Sequence, residues 1–294
     1  MWAGRPACCC PTPGADATQI VWQIDGAAAS LDSDGDLFPT SVGGLLTFKR
    51  PVLYQREGGA RIAVDGSFAA AGNFLHMIAT LHSAGYIPEN QGGLKQDWPR
   101  IPLPATKDLL LASASLGQEL AALLDPESPM PSAAAALTFI GPITAAEGTL
   151  DPDAGDLEVT VGWSHDGQGG VTMPTRGRVT ERAMTPAELA ALPPGAGEIL
   201  GATTCDVWLN GRAYWGNIPK NVWEYTLGGY QVIKKWLSYR ESALLGRSLS
   251  VEEVRYVTAV VRRIAAILLL GPKLDASYEA VKGNAIDWKT PAKR

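Results

Sequence analysis

Cationic, amide and aromatic side chains are concentrated between residues 206 and 247. These residue types together can bind a polyanion such as a nucleic acid, because cations contact phosphates, amides and guanidinium groups hydrogen-bond base edges, and aromatic rings position both. Candidate phosphate contacts are Lys220, Lys234, Lys235, Arg240 and Arg247. Candidate base readers are Asn210, Arg212, Asn217, Asn221 and Gln231. For each of them the alternative is an ordinary surface position that contacts no ligand.

Two further features could join such a surface. Arg176 and Arg178 follow a glycine-rich segment, residues 166–170, that has the composition of a β-hairpin turn. They form a second arm that reaches into a groove if that turn faces the nucleic acid. Gly228 and Gly229 precede a predicted helix, so their backbone amides could bind one phosphate, with a tight turn as the alternative.

Four of the nine tryptophans fall in the same stretch, at positions 208, 215, 223 and 236. Trp208 lies in an alternating pattern typical of a strand, and Trp236 lies on the apolar face of a predicted helix. We expect both to pack where sheet and helices meet. Trp215, beside Tyr214 in a segment rich in Gly and Asn, is the tryptophan expected to contact the nucleic acid.

The charge is distributed unevenly along the chain. Residues 206–294 hold 14 Lys/Arg and 8 Asp/Glu, a net of +6, whereas residues 1–205 hold 11 and 22, a net of −11. A polyanionic partner is therefore drawn to the C-terminal third. The alternative is a solvated basic helix face.

No arrangement for nucleophilic or metal catalysis is recognisable. Three cysteines are adjacent near the N-terminus and Cys205 is alone, which fits neither a disulfide framework nor zinc-ligand spacing. The Asp/Gly cluster at residues 32–36 has turn composition and lacks the other ligands of a calcium loop. Glu252 and Glu253 fall in the first turn of a predicted helix, where they favour its dipole. We expect no metal site and no catalytic residue in this chain.

The longest apolar run, residues 264–270, is too short to cross a bilayer. The first 14 residues are rich in Pro, Gly and Cys and lack the pattern of a secretory signal. The sequence therefore predicts a cytoplasmic protein.

Apolar periodicity predicts helices over 69–82 and 107–124, separated by a polar loop and a proline-rich extended segment at 93–104. Beyond a linker-like stretch at 126–132, β-favouring runs predict strands at 136–140, 157–163, 170–173 and 204–209. A helix over 230–245 has Gly246 at its C-cap position. A capping box at Ser250 opens another helix that Gly271 and Pro272 end, followed by a short helix over 278–282.

These elements predict an α+β chain, in which a helical coupler over 61–130 is followed by a mainly antiparallel β core covered by C-terminal helices. Residues 1–60 form an irregular segment with short strands at 19–24 and 45–48, or are a truncation remnant. The boundary near residue 130 leaves residues 131–294 as the second domain.

Three stretches resemble the C-terminal region of type ISP restriction-modification enzymes and related single-chain adenine-specific DNA methyltransferases, and together they span roughly residues 75–275. The first is Leu81-His82-Ser83 with Tyr86 and Trp98-Pro99-Arg100-Ile101-Pro102. The second is Gly155-Asp156-Leu157 with Gly162-Trp163 and Val171-Thr172-Met173-Pro174. The third and most specific is Asp206-Val207-Trp208-Leu209-Asn210, Tyr214-Trp215, Ile218-Pro219, Val222-Trp223, Tyr225, Gly228-Gly229-Tyr230-Gln231 and Lys235-Trp236-Leu237 to Arg240.

This resemblance implies that residues 131–294 are a DNA target-recognition domain. Such a domain grips the duplex and reads base edges so that a linked methyltransferase flips and methylates an adenine. The glycine-rich cofactor loop and the Asn/Asp-Pro-Pro-aromatic motif of a methyltransferase are missing, as are nuclease and helicase motifs. S-adenosylmethionine is accordingly expected only in a linked or partner methyltransferase.

The sequence thus predicts sequence-specific recognition of double-stranded DNA as the specificity part of a restriction-modification or adenine methyltransferase system. The chain is then either a fragment or one product of a split gene. The alternative is an assembly module that docks onto a separate methyltransferase subunit and contacts DNA little or not at all.

Overall fold

The computed structural model describes residues 28–31, 37–41, 44–45, 53–57, 60–64, 68–96, 99–166 and 172–285. Helices occupy much of this part of the chain, and a four-stranded antiparallel sheet forms its largest β element. The fold class is therefore α+β, which confirms the prediction.

The N-terminal strands form two small antiparallel units. Strands β1 (Ala28–Leu31), β2 (Leu37–Ser41) and β3 (Gly44–Leu45) pair in chain order, and β4 (Leu53–Glu57) pairs with β5 (Ala60–Val64). The predicted strand at 19–24 and the acidic turn at 32–36 lie outside the described residues. Of the predicted strand at 45–48 only Leu45 is described, at the end of β3.

Four helices follow: α1 (Phe68–Leu81), α2 (Tyr86–Leu94), α3 (Lys107–Leu124) and α4 (Ser132–Ala135). The predicted bounds of α1 and α3 are confirmed to within one residue. Helix α1 packs against α3 so closely that a Cβ at Gly117 would lie 1.9 Å from the carbonyl oxygen of Leu75. Gly117 is therefore required for this contact.

Helix α2 was predicted as a polar loop, and that prediction is wrong. Its sequence contains Pro88 and two glycines, so its intrinsic helix propensity is low. The helix is held instead by tertiary contacts: Tyr86 is fully buried, and Glu89 accepts a 2.8 Å hydrogen bond from the hydroxyl of Tyr278. The pattern within the segment gives no sign of those partners.

The central sheet has the order β6-β11-β10-β9. Its strands are β6 (Ile143–Ala145), β9 (Val179–Ala183), β10 (Thr203–Trp208) and β11 (Ala213–Pro219), while β7 (Ser164–Asp166) and β8 (Thr172–Pro174) form a separate hairpin. Helices α5 (Pro186–Ala190) and α6 (Ala196–Leu200) connect β9 to β10. On one face of β10 and β11, Cys205, Val207 and Trp215 are completely buried, whereas Asp206, Trp208 and Tyr214 are only partly buried.

The predicted strand at 204–209 corresponds to β10 and is confirmed, but those at 136–140 and 157–163 are wrong. Residues 136–140 continue from α4 as turns, and the carbonyls of Thr138 and Ile140 accept hydrogen bonds from the guanidinium of Arg262. Residues 157–163 approach the sheet through single hydrogen bonds, such as Thr160 N to Leu209 O at 2.8 Å, and form no ladder.

The C-terminal part begins with α7 (Lys220–Trp223), a small hairpin of β12 (Thr226–Leu227) and β13 (Tyr230–Gln231), α8 (Val232–Ser238) and α9 (Ser242–Leu245). The single helix predicted over 230–245 is thus wrong. Between α8 and α9 the carboxylate of Glu241 turns inward and accepts hydrogen bonds from the backbone amides of Gly162 and Trp163, at 2.9 and 2.6 Å. Gly246 ends α9 at φ 72°, as its C-cap position predicts.

The last helix, α10 (Val251–Gly283), begins with the predicted capping box of Ser250 and Glu253. It continues through Pro272, so the predicted end at Leu270 and the separate helix over 278–282 are wrong. Leu274, Tyr278 and Val281 are buried beyond the proline, and this packing offsets the missing hydrogen bond.

A buried apolar cluster joins the helices to the central sheet. It includes Leu120 and Leu123 of α3, the inner face of the sheet, and Val261 and Ile264 of α10. The coupler helices and the sheet therefore share a core. Within the described segments, no helix has both the length and the apolar character that a bilayer crossing requires.

Candidate nucleic-acid interface

Four of the predicted cations are held by carboxylates in the folded chain. Lys220 lies 2.8 Å from Glu181, Arg212 lies 3.0 Å from the buried Asp156, and Arg240 and Arg247 both reach Glu253. The hydrogen bond that Lys220 donates to Glu181 raises the pKa of Lys220, and the hydrogen bond from Arg247 lowers the pKa of Glu253. Their role as DNA contacts stays a prediction, and each has an internal role in addition.

The other four, Arg176, Arg178, Lys234 and Lys235, have no carboxylate partner among the described residues. Arg178 lies over the Trp208 ring, with its Cζ 3.8 Å from the ring centroid. The ammonium of Lys235 lies between two exposed rings, 5.1 Å from the centroid of Tyr230 and 4.6 Å from that of Tyr239. Their positive charges are therefore not neutralised within the described structure.

These four cations lie on neighbouring elements. Helix α8, which carries both lysines, packs against β7 and β8, and β8 leads through residues 175–178 into β9. The predicted hairpin is confirmed by the antiparallel pairing of β7 with β8, and its tip lies outside the described residues. We call Arg176, Arg178, Lys234 and Lys235 the hairpin surface.

Trp163 fixes the course of the chain through the arginine-bearing loop. Gly177 has φ 57°, and a Cβ there would lie 2.2 Å from the Trp163 ring, so only glycine fits against the indole. The Gly177 amide donates to Gly162 O, and the indole of Trp163 donates to Trp208 O at 2.8 Å. The loop between Arg176 and Arg178 is therefore tied to the core and not free to reorient.

The predicted base readers with amide side chains are engaged internally. Asn210 uses both amide atoms: its oxygen accepts from the backbone amides of Arg212 and Ala213, and its nitrogen donates to the carbonyls of residues 156 and 158. This amide closes the turn between β10 and β11, and base reading by Asn210 stays a prediction.

The remaining amides are less fully used. Asn221 donates to Ile199 O at 2.8 Å, and Gln231 makes a long 3.4 Å bond to Trp223 O. Asn217 is the described non-glycine residue with positive φ, at 54°, and its side-chain oxygen accepts from Arg182. Base reading by these three residues stays a prediction.

Trp208 and Trp215 lie on the opposite faces of the sheet from those predicted. Trp215 is 0% exposed on the inner face of the sheet, so the prediction that it contacts DNA is wrong. Trp208 lies on the outer face, where it contacts Arg178 and stacks on Tyr214 at 4.7 Å between centroids. Trp236 packs partly buried against the core, as predicted, and stacks on Tyr256. A one-residue shift in strand register reverses which side chains face outward, and the sequence pattern did not fix it.

Gly228 and Gly229 form the tight turn given as their alternative role. Their φ values are 58° and 84°, and they connect Leu227 to Tyr230 as a two-residue hairpin loop. Helix α8 begins only at Val232, so the two glycine amides do not lie at its N-terminus.

Two sets of contacts were not predicted from the sequence: Tyr230 and Tyr239 as partners of Lys235, and Thr180 as a partner of Trp208. Tyr239 follows Lys235 by four residues, the spacing at which side chains on a helix meet, so that signal was available. Thr180 accepts a 3.0 Å hydrogen bond from the Trp208 indole across the β9–β10 pair, and only strand register could have shown this.

Arg182 forms a separate polar cluster on the same strand as Thr180. Its guanidinium lies 2.8 Å from Glu188 and 3.3 Å from Asp206, and it donates to Asn217. The guanidinium lowers the pKa of Glu188 to about 2. Burial raises the pKa of Cys205 to about 12, so its thiol stays protonated at neutral pH.

Comparison with known proteins gives two family matches. The model described as "Type ISP C-terminal specificity domain" matches residues 60–259, and a domain of unknown function, DUF7948, matches residues 10–86. No curated protein sequence is significantly similar to the chain.

Two solved structures are similar at low identity. One is a nuclease-deletion mutant of the Type ISP restriction-modification enzyme LlaGI in complex with a DNA substrate mimic, at 16% identity and a TM-score of 0.38, covering 84% of this chain and 20% of that one. The other is the DrdV-DNA complex, at 18% identity and a TM-score of 0.38, covering 88% and 24%. The chain thus spans about a fifth to a quarter of the length of either protein.

The family match covers about two thirds of the sequence and includes the whole central sheet and the hairpin surface. The chain therefore belongs to the Type ISP C-terminal specificity domain family.

Proposed function

We propose that this chain recognises double-stranded DNA in a sequence-specific manner, as the specificity part of a restriction-modification or adenine methyltransferase system. Methyl transfer is then carried out by a methyltransferase domain or subunit outside this sequence, which binds S-adenosylmethionine. The proposal rests chiefly on the hairpin surface, where four cations on neighbouring elements have no carboxylate partner among the described residues.

The arrangement around Lys235 suits a phosphate contact. Its ammonium is positioned by the rings of Tyr230 and Tyr239, which are 57% and 50% exposed. Aromatic faces attract the cation without neutralising its charge, so it stays available to a phosphate. The two phenol hydroxyls can donate further hydrogen bonds to the backbone of a duplex.

Lys220 and Lys235 differ in whether a carboxylate lies close to the ammonium group. Lys220 has two carboxylates within 4 Å, Glu181 at 2.8 Å and Glu224 at 3.8 Å. A phosphate that approached Lys220 would meet these negative charges, whereas one that approached Lys235 would not. The name of the family, a specificity domain, and the DNA present in the complexes of LlaGI and DrdV are consistent with this assignment.

Binding of a fluorescent duplex by the 294-residue chain, measured by anisotropy at several salt concentrations, tests the proposal. We expect affinity to fall steeply as salt rises, because each phosphate contact releases counterions. Lys235→Ala should weaken binding about equally on all sequences and reduce the magnitude of the slope of log K against log salt by about 1. Lys220→Ala, a lysine of the same charge held by Glu181, is the matched control and should change the slope little.

An affinity that does not depend on salt, or equal effects of the two lysine variants, would contradict the proposal. Absence of DNA binding together with capture of a methyltransferase subunit would instead support the assembly alternative.

A further inference from the structure

The outer face of the central sheet carries a stack of three side chains from three adjacent strands or their edges. Arg178, directly before β9, lies over Trp208 of β10, and Trp208 stacks on Tyr214 of β11 at a centroid distance of 4.7 Å and an interplanar angle of 35°. The Trp208 indole is fixed by its hydrogen bond to Thr180, and the Trp208 amide donates to Arg178 O at 3.1 Å. Both ends of the Arg178–Trp208 contact are therefore anchored to the sheet.

The guanidinium of Arg178 has a partner on one of its flat faces only, the indole ring of Trp208. No described residue accepts a hydrogen bond from its N–H groups. Arg182, four residues further along the chain in β9, donates to Glu188, Asp206 and Asn217 and so has acceptors on several sides. Of these two neighbouring arginines, Arg178 is the one that presents an unoccupied row of donors.

An arginine oriented by a ring and free along its edge matches one target on duplex DNA especially well. Guanine presents O6 and N7 side by side in the major groove, and a guanidinium edge binds both with two parallel hydrogen bonds. Stacking on Trp208 limits the conformations of the long side chain before binding, so less entropy is lost when the pair forms.

We propose that Arg178, presented by the Trp208–Tyr214 stack, reads a guanine in the recognised sequence. This inference rests on the proposed function and assigns one base contact within it. The same guanidinium could also form two hydrogen bonds with a backbone phosphate, so the test must separate a base from a phosphate.

Selection of duplexes from a random library by the 294-residue chain provides the first arm of the test. The wild-type chain should enrich a motif that contains an invariant guanine, and Arg178→Lys, which keeps the charge but loses the fork, should relax that one position. Arg255→Lys is the matched control, since Arg255 is an exposed arginine of α10 outside the hairpin surface. We expect Arg255→Lys to leave every position of the motif unchanged.

The second arm replaces the assigned guanine with 7-deazaguanine, which lacks the N7 acceptor. Affinity of the wild-type chain should fall roughly 5- to 150-fold if the bidentate pair is lost, while Arg178→Lys should discriminate little between the two bases. Circular dichroism melts of each variant establish that the fold is retained.

The outcomes separate the two proposals. If the wild-type chain enriches a motif but Arg178→Lys weakens binding equally at all positions, Arg178 contacts a phosphate and the guanine assignment is overturned, while the proposed function stands. A motif that the lysine variant reproduces unchanged also overturns the assignment. If the wild-type chain enriches no motif, the proposed function itself fails and this inference fails with it.

Discussion

His76 is a fully buried histidine whose two ring nitrogens both have partners. Its Nε2 lies 2.9 Å from the carbonyl oxygen of Pro102, which can only accept, so Nε2 carries the proton. Nδ1 then accepts from the hydroxyl of Ser113 at 2.8 Å. Burial lowers the pKa of His76 below its ordinary value of 6.5. The fold thus favours the neutral ring, which ties α1 to the proline-rich segment and to α3.

The lowered pKa of His76 makes stability depend on pH with a definite sign. The neutral His76 ring stabilises the fold fully above pH 6.5, which is the pKa of a histidine in the unfolded chain. This stabilisation is lost as the pH falls from 6.5 toward the lower pKa of His76 in the folded chain. We expect the free energy of unfolding to decrease between pH 7 and 5.5, by no more than about 1.4 kcal/mol per pH unit from this group. His76→Gln should remove this part of the slope in urea titrations. Parallel profiles for the two proteins would contradict the assignment.

The candidate site shows what single residue types can predict and what they cannot. The concentration of cations in the C-terminal third pointed to Lys234 and Lys235, and the glycine-rich hairpin pointed to Arg176 and Arg178; that these four contact DNA stays a prediction. The sequence did not predict which cations are paired, because the partners are distant: Glu181 lies 39 residues from Lys220, and Asp156 lies 56 residues from Arg212. Only the tertiary fold brings these groups together.

At the scale of elements, the break between α8 and α9 depends on one carboxylate. Glu241 is 8% exposed and accepts from two backbone amides that have no other acceptor in the described structure. Glu241→Gln replaces one accepting oxygen with an NH₂ group, which faces an N–H and leaves it unpaired. We expect a loss of about 1–3 kcal/mol in the free energy of unfolding by denaturant.

Glu252→Gln serves as the control for Glu241, since Glu252 is exposed in the first turn of α10. We expect Glu252→Gln to lower the free energy of unfolding by less than about 1 kcal/mol, because it removes only a favourable interaction with the helix dipole. Equal losses for the two variants would show that the internal hydrogen bonds of Glu241 contribute nothing.

Pro272 gives a direct test of the continuity of α10. A proline inside a helix lacks the N–H that would donate to the carbonyl four residues earlier, here that of Leu268. Because Pro272 is exposed, Pro272→Ala adds this bond without disturbing the core and should stabilise the protein by up to about 3 kcal/mol. Lys273→Ala, at the exposed neighbouring position, should stay within about 0.5 kcal/mol of wild type in the same thermal melts. If Pro272→Ala leaves the stability unchanged in these melts, the helix ends before residue 272.

The elements that the sequence predicted correctly are those specified by local interactions. Apolar periodicity predicted α1 and α3, the capping box at Ser250 predicted the start of α10, and β-favouring residues predicted β10. The errors arose where distant contacts outweigh local preference. Helix α2 forms despite its proline and glycines, and residues 136–140 form turns because Arg262, more than 120 residues away, takes up their carbonyls.

At the scale of the whole molecule, α10 joins the coupler helices to the sheet. Its first half carries Arg263, 4% exposed, whose guanidinium donates to the carbonyls of Ala122 and Ser128 at the end of α3. Its second half carries Asp275, which accepts from the Ser83 hydroxyl at 2.7 Å, and Tyr278, which packs edge-on against Tyr86. The two halves therefore hold different parts of the coupler.

Removal of the second half of α10 should loosen α2 and spare the sheet. In a chain truncated after Leu270, Tyr86 loses its aromatic partner and the turn at Ser83 loses its acceptor, so we expect faster hydrogen–deuterium exchange over residues 83–94. Amides of β10 and β11 should keep their protection, because they pack on the retained half of the helix through Val261 and Ile264. Tyr278→Ala should reproduce the local effect without truncation. Helix α8 packs against β7 and β8, so the proposed DNA binding should survive in both variants. Uniform loss of protection would show that the coupler and the sheet unfold as one unit.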